Sequence, residues 1–336
     1  SDRMVQTVLG PVPAASLGRT LVHEHLQLGV PGWQLDTLAK GSSFRERLKL
    51  CVDKLEELKS AGYSTIVDPC PSDMGRDAEL LREVAAHTQF NIVCAAGFFT
   101  HDIGQSSHWI LRMMLDPDTD KRVRDVLVKD IVEGIGESGV KAGILKVASG
   151  TQVTEFERMM LRATAMASLE TGIPITTHTD AVHGDTQLDV MAGAGLDPAH
   201  VIVGHSCGSN DMDYLQLLAG KGAFVGFDRF GYEDVNLDER RVENLVLLAQ
   251  AGFLENGETM WCLHAGERMQ SLAEPKGAIG TVADGVDELM RVANAETGEE
   301  HLFKIRPAIA IVVFEKQELV EVADIRAAIT GLDTLD

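Results

Sequence analysis

Histidines recur where short apolar segments of this chain end. His23 and His25 lie two residues apart at the end of one segment, and His178, His205 and His264 end three later ones. Residues i and i+2 of a strand point to the same face, so His23 and His25 can reach one cation. Imidazole nitrogen is a common ligand for divalent transition metals. Together the five histidines predict a metal site rather than five unrelated core residues.

A lysine interrupts another apolar segment. Lys146 lies within Ile-Leu-Lys-Val-Ala at 144–148, and a fully buried lysine is rare unless it is paired or functional. One interpretation is a buried ion pair with a carboxylate. The other is a neutral amine, whose pKa is depressed by burial and by nearby cations. Such an amine can add CO2 to form a carbamate, an anionic group whose two oxygens can bridge two metal ions.

The segments that carry these residues alternate with helical patterns. Helical periodicity marks five stretches, at 44–61, 77–87, 125–137, 155–170 and 240–251. Short apolar runs predict eight buried parallel strands, at 20–23, 65–68, 92–96, 143–148, 174–178, 201–205, 223–228 and 259–264. This alternation over roughly 250 residues indicates an α/β fold of the (β/α)8 barrel type, in which the carboxyl ends of the strands converge on the active-site face. An open doubly wound sheet is the alternative, but no GxGxxG follows a strand and no P-loop occurs.

Composition limits the partners that the chain can take. It has 30 Lys+Arg and 51 Asp+Glu, a net charge of −21, which disfavours nucleic acid and anionic membrane surfaces. There is no apolar run of about 18 residues and no apolar signal-peptide region. Five cysteines without a CxxC predict reduced thiols in a cytoplasmic protein. We expect a small-molecule substrate and one domain over 1–336.

In its motifs the chain resembles the phosphotriesterase family of the amidohydrolase superfamily, including the phosphotriesterase-like lactonases. The resemblance covers roughly 5–265. It rests on Thr-Val-Leu-Gly-Pro-Val at 7–12, Val-His-Glu-His at 22–25, the Lys146 strand, Thr-His-Thr at 177–179, Gly-His-Ser at 204–206 and Gly-Phe-Asp-Arg-Phe-Gly at 226–231. It implies an amidohydrolase-like TIM barrel. The segment 266–336 matches the family poorly and is expected to be a divergent eighth-strand loop and C-terminal segment.

The family resemblance also implies a metal centre and a reaction. His23 and His25 would bind the more buried of two divalent ions, His178 and His205 the more exposed one, and a carboxylated Lys146 would bridge them. Zn²⁺ is the expected metal, with Mn²⁺, Co²⁺ and Fe²⁺ as alternatives. Metal-bound hydroxide would attack a lactone, a carboxylic ester or a phosphotriester. Phosphotriester turnover would be secondary.

The eighth predicted strand departs from the family. Members carry an Asp there that binds the buried metal and moves a proton, whereas this chain reads Trp-Cys-Leu-His-Ala-Gly-Glu at 261–267. When this segment is aligned with the family motif without a gap, His264 replaces the Asp. When the alignment is shifted by one residue, the Asp has no counterpart in this chain. Histidine can bind a cation and titrates near neutrality, so His264 is a candidate ligand and proton carrier, with Glu267 the nearest carboxylate.

Three alternatives to the lactone or ester hydrolase stay open. The first is a metal-binding barrel with little or no turnover, which the missing Asp of the eighth strand motivates. The second is an amide or carbamate hydrolase on the same scaffold, because the same site can attack any polarised carbonyl. The third is a mononuclear amidohydrolase such as a deaminase.

Substrate contacts are predicted in two loops and in the eighth strand. Phe99, after the third strand, resembles an aromatic residue that contacts the bridging water in lactonases, where it is often Tyr. The resemblance places Asp228 and Arg229 in the loop after the seventh strand, with Arg229 at the substrate entrance and Asp228 structural; a metal ligand is the alternative for Asp228. Trp261 is a third candidate contact, with packing as its alternative. The family resemblance also suggests a homodimer packed through the loops after strands 1 and 3.

Overall fold

The computed structural model describes residues 4–36, 38, 43–104, 106–230, 232–248, 251, 253 and 261–265. Gln34, Val246 and 261–265 are described by their backbone alone. The predictions for Glu267 and for the segment 266–336 lie outside these residues. The interpretation of 1–336 as one domain therefore stays a prediction.

A short antiparallel hairpin precedes the main sheet. It pairs β1 (Met4–Thr7) with β2 (Gly10–Pro13). Val5 of this hairpin belongs to a small apolar cluster with Val93 and Ile144. The hairpin thereby packs against strands of the main sheet.

Eight parallel strands form the main sheet and stand in chain order. They are β3 (Thr20–Leu21), β4 (Thr65–Asp68), β5 (Asn91–Gly97), β6 (Ile144–Ala148), β7 (Ile175–His178), β8 (Val201–Val203), β9 (Phe224–Phe230) and β10 (Trp261–Ala265). Each strand pairs in parallel with the next. The last strand, β10, also contacts β3. The sheet therefore curls into the (β/α)8 barrel that the sequence predicts.

Helices occupy the connections between these strands. They are α1 (Phe44–Ser60), α2 (Ala78–Thr88), α3 (Ser107–Leu115), α4 (Thr119–Val132), α5 (Glu155–Thr171), α6 (Gly184–Gly193), α7 (Met212–Gly220) and α8 (Asp238–Leu248). Leu55 of α1, Leu80 of α2, Leu161 of α5 and Leu215 of α7 are fully buried in one apolar core with the strands. Burial of this apolar surface is the main force that holds the helices on the barrel. Within the described part of the chain, no helix combines the length and apolarity needed to cross a bilayer.

Helix α5 shows how the loops near the site are fixed. Its first turn is a capping box, in which the Thr154 hydroxyl accepts from the Glu157 backbone N–H and the Glu157 carboxylate accepts from the Thr154 N–H at 2.9 Å. The buried Glu157 carboxylate also accepts from the N–H of Gly150 and of His101, at 3.2 and 3.1 Å. One carboxylate thus joins the loops after β5 and β6 to the start of α5.

One predicted helix lies in the wrong place. The pattern predicts a helix at 125–137, but α4 runs from Thr119 to Val132. Gly134 and Gly136 have φ of 121° and 54°, values that an α-helix does not adopt. The helix therefore ends before them.

Candidate metal centre

Four predicted ligands and the predicted bridging lysine lie together at the carboxyl ends of the strands. His23 and His25 follow β3, Lys146 lies in β6, His178 ends β7 and His205 follows β8. The ring centroids are 4.5 Å apart for His23 and His205, 4.7 Å for His178 and His205, and 5.5 Å for His23 and His25. The fold therefore gathers residues from four strands into one cluster on the face where barrel active sites lie.

Lys146 is fully buried in this cluster. Its Nζ lies 3.2 Å from Nε2 of His23 and 3.4 Å from the carbonyl oxygen of Thr177. No carboxylate of the described residues forms an ion pair with it, so the buried ion pair that the sequence left open does not form there. Burial lowers the pKa of Lys146 to about 7. A large fraction of the amine is therefore neutral near neutral pH.

The buried histidines of the cluster are neutral. Burial lowers the pKa of His178 to about 4 and the pKa values of His23 and His205 well below their ordinary value. The Lys146 charge lowers the pKa of His23 and His178 further. Each neutral ring keeps one nitrogen lone pair, which is the form of histidine that binds a metal ion.

Two carboxylates each contact one predicted ligand. Oδ1 of Asp180 lies 3.4 Å from Nε2 of His178, which leaves Nδ1 of that ring available. Oδ1 of Asp68 lies 3.4 Å from Nδ1 of His25 and accepts from the backbone N–H of Cys70 at 3.0 Å. Such carboxylates orient histidine ligands in many metal sites.

Asp68 and Cys70 could also form a separate cation site with His25, because one possible ligand atom of each lies within 4.8 Å of the others. Metal binding by cysteine requires the thiolate. Burial raises the pKa of Cys70 well above its ordinary value, and its Sγ donates to the carbonyl oxygen of Met74 at 3.2 Å. Cys70 is therefore held as a thiol, and this group does not favour a cation.

Asp228 lies inside β9. The strand pattern placed it at the end of the seventh strand and the family resemblance in the loop after it, but β9 continues to Phe230 and the Asp228 side chain is fully buried. Its carboxylate accepts from Nδ1 of His205 at 2.9 Å and lies 3.3 Å from Nδ1 of His23. Burial alone would raise the pKa of Asp228, but His205 and His23 hold it well below its ordinary value. Asp228 is therefore an ionised carboxylate between two predicted ligands.

Two of the predicted substrate contacts border the cluster. The ring centroid of Phe99 lies 4.7 Å from that of His178. Arg229 is half-buried next to Asp228 in β9, with its guanidinium carbon 5.7 Å from the centroid of the Tyr232 ring. Its positive charge contributes to the lowered pKa values of His178 and His205. Phe99 therefore lies beside a histidine of the cluster, and Arg229 acts on two of the histidines through its charge.

For His264 and Trp261 the structure describes only the backbone of β10. Leu263 pairs with Phe227 and Ala265 with Phe230, so the register shifts at His264. The backbone of His264 thus stands beside the part of β9 that contains Asp228. The roles predicted for the side chains of His264 and Trp261 lie outside the described residues.

Acid should destabilise the metal-free protein through the buried histidines. An unfolded histidine titrates near 6.5 and His178 near 4, so between these values the unfolded state binds more protons and stability falls as the pH falls. The His178 side chain is only 12% exposed, and it alone should remove about 2 kcal/mol between pH 7 and pH 5. The lowered pKa values of His23 and His205 act in the same direction.

Urea unfolding with chelator at pH 7 and pH 5 measures this loss. The His178→Gln variant should lose about 2 kcal/mol less than the parent between the two pH values. An equal loss in both proteins would contradict the assignment to His178.

Fold and site together define a barrel enzyme with a histidine-rich centre. A sequence profile of the phosphotriesterase family matches residues 3–272. The chain belongs to the phosphotriesterase family, and the resemblance seen in its motifs is confirmed.

Individual relatives support the assignment. The phosphotriesterase homology protein of Mycobacterium tuberculosis (strain H37Rv) is 34% identical over 74% of this chain and 77% of its own length. The N-acetyltaurine hydrolase of Xenopus tropicalis is 28% identical over 79% and 85%. The structure of the organophosphorus hydrolase from Deinococcus radiodurans is 29% identical and superposes with a TM-score of 0.80 over 94% of this chain and 98% of that one. The protein is thus a hydrolase of the phosphotriesterase and lactonase type.

Proposed function

We propose that this protein is a binuclear metal-dependent hydrolase of lactones or carboxylic esters, with phosphotriesters as secondary substrates. The observation that carries the proposal is Lys146, a fully buried amine with a pKa of about 7 beside neutral imidazoles. A structural lysine at such a position would be expected to pair with a carboxylate. A neutral amine in this place is the group that CO2 can convert into a bridging carbamate.

The donor set fits two divalent cations. His23 and His25 would hold the more buried ion, His178 and His205 the more exposed one, and the carboxylated Lys146 would lie between them. Nitrogen and carbamate oxygen donors suit Zn²⁺ first, and Mn²⁺, Co²⁺ or Fe²⁺ as alternatives. When bound, the ions would supply an activated water and polarise the substrate oxygen.

The other residues of the site would handle the substrate. Phe99 would provide an apolar wall next to His178, and Arg229 would face the entrance with its positive charge. Trp261 is the third proposed contact. His264 would accept and release the proton, as a neutral imidazole can do near neutral pH.

Amide hydrolysis is the second candidate function. The relative from Xenopus tropicalis is named as a hydrolase of N-acetyltaurine, an N-acyl amide. The same centre could polarise the carbonyl of an amide, an ester or a lactone. A barrel without turnover is the outcome expected if His264 cannot carry the proton.

Metal content followed by a substrate panel tests the proposal. Elemental mass spectrometry should find two ions per chain in protein grown with Zn²⁺, Mn²⁺ or Co²⁺. The loaded protein is then assayed with γ- and δ-lactones, aryl esters, phosphotriesters and N-acyl amides. We expect turnover that is highest with lactones or esters. One ion or none would contradict the binuclear centre, whereas two ions with an inert panel would contradict the substrate assignment.

We further propose that the protein is a cytoplasmic homodimer. Cys51, Cys70, Cys94 and Cys207 are free and buried, which supports reduced thiols. Large apolar side chains are exposed in the connections after β3 and β5, at Leu35 (83%) and Leu38 (93%) and, at the end of α3, at Met114 (75%) and Leu115 (77%). Exposed apolar patches of this kind are typical of surfaces that contact another protein.

Introducing negative charge at this surface should dissociate the proposed dimer. The double variant Met114→Glu/Leu115→Glu should sediment as a monomer under conditions in which the parent sediments as a dimer, because burying two carboxylates is costly. The control Leu169→Glu changes an exposed apolar residue of α5 and should remain a dimer. A monomeric parent, or a dimeric double variant, would exclude this surface.

A further inference from the structure

Asp228 contacts one predicted ligand of each proposed metal ion. Its Oδ1 accepts from Nδ1 of His205 at 2.9 Å, and its Oδ2 lies 3.3 Å from Nδ1 of His23. The backbone N–H of His205 donates to both oxygens, at 3.0 and 3.1 Å. His23 is assigned to the buried ion and His205 to the exposed one. One buried carboxylate thus spans the two halves of the centre.

Both rings therefore present the same nitrogen to the centre. A carboxylate only accepts hydrogen bonds, so Nδ1 of His205, which donates to Asp228, carries the proton. We assign the proton of His23 to Nδ1 as well, because this nitrogen faces the Asp228 carboxylate at 3.3 Å whereas Nε2 faces the Lys146 amine. The lone pair of each neutral ring is then on Nε2. For His23 this nitrogen faces Nζ of Lys146 at 3.2 Å, which is the direction of the proposed bridge.

Two other carboxylates near the site each contact one predicted ligand instead of two. Asp68 lies beside His25, and Asp180 lies beside His178. Asp68 therefore faces a ligand of the buried ion, and Asp180 a ligand of the exposed ion. Asp68 and Asp180 can therefore serve as controls for Asp228, which contacts ligands of both ions.

We propose that Asp228 is a shared positioning residue, which orients one histidine of each ion and so makes the affinities of the two metal sites depend on one carboxylate. The inference rests on the proposed binuclear centre and adds a residue to it. One possible ligand atom of each of His23, His205 and Asp228 lies within 4.8 Å of the others. Because the carboxylate faces Nδ1 of both rings, we assign Asp228 to orienting the two histidines and their Nε2 atoms to binding the ions. Loss of its charge should therefore weaken both sites without removing either.

Metal affinity measures the coupling without an assay of activity. Competition of Zn²⁺-loaded protein with a fluorescent chelator should resolve two dissociation constants. In Asp228→Asn both should rise, each about 10- to 100-fold, as expected when the partner of a histidine ligand is lost. Saturating Zn²⁺ should still give two ions per chain. Asp68→Asn should raise one constant and Asp180→Asn the other.

Histidine tautomers provide a second measurement on the parent protein. ¹⁵N spectra of the metal-free chain should show His23 and His205 with the proton on Nδ1. A proton on Nε2 of either ring would overturn the shared role. This measurement decides the matter even if Asp228→Asn does not fold.

Each outcome has a distinct meaning. If the parent binds two ions and Asp228→Asn weakens only one of them, Asp228 serves one site and the inference is wrong. If neither constant changes, its role is structural and the inference is also wrong. If the parent binds fewer than two ions, the proposed function fails first.

Discussion

Lys146→Met should lower kcat/KM by about 10³-fold, equivalent to about 4 kcal/mol of transition-state stabilisation. Methionine has a similar volume but cannot form a carbamate, so the two ions lose their shared anionic ligand. Metal content should fall from two ions to one or none per chain. The variant should still fold, because Lys146 is fully buried, forms no ion pair with a carboxylate of the described residues, and is replaced by an apolar side chain of similar volume. Steady-state kinetics and elemental mass spectrometry measure the two effects.

The exposed Lys141, which precedes β6, provides the matched control. Lys141→Met should keep both ions and full activity. Bicarbonate should also speed the reloading of the metal-free parent with Zn²⁺, because CO2 supplies the carbamate, and it should have no effect on Lys146→Met. Full activity in Lys146→Met would exclude the carbamate and favour a mononuclear centre.

The barrel could be predicted because its signal is local. Strands β4 to β9 are buried on both faces along most of their length, so their sequences are short apolar runs in which the polar residue at the end is conspicuous. Lys146 was visible for the same reason, as a charge in the middle of such a run. Strand alternation and the convergence of strand ends were then enough to group His23, His25, His178 and His205.

Other features depend on contacts that a single sequence does not display. A carboxylate at the end of a strand looks the same whether it binds a metal or accepts from a neighbouring histidine. Which of these two roles Asp228 has depends on its neighbours in the folded barrel. There β3, β8 and β9 approach one another and bring His23 and His205 to the Asp228 side chain.

Helix α3 (Ser107–Leu115) was not predicted, because it is short and exposed apolar residues hide its inner face. Trp109, Ile110 and Met113 pack against the core at helical spacing. Leu111, Met114 and Leu115 are exposed apolar residues among them.

Gly97→Ala should lower the free energy of unfolding by about 3 kcal/mol, the upper end of the range for an overpacked core. Gly97 pairs with Lys146 across β5 and β6, and a Cβ at position 97 would lie 1.9 Å from the carbonyl oxygen of Lys146. That neighbour is backbone and cannot rotate away, so the two strands must separate. Urea unfolding of the metal-free protein measures the loss.

A second glycine separates this clash from the general effect of adding a methyl group. Gly193 ends α6, and a Cβ there would meet nothing within 4 Å. Gly193→Ala should therefore be neutral or stabilising by up to about 1 kcal/mol. Because the displaced backbone in Gly97→Ala carries Lys146, that variant should also bind Zn²⁺ more weakly, whereas Gly193→Ala should bind it as the parent does. If the two variants were equally stable, β5 and β6 could separate without loss of stability. The close contact between these strands would then not determine the position of Lys146.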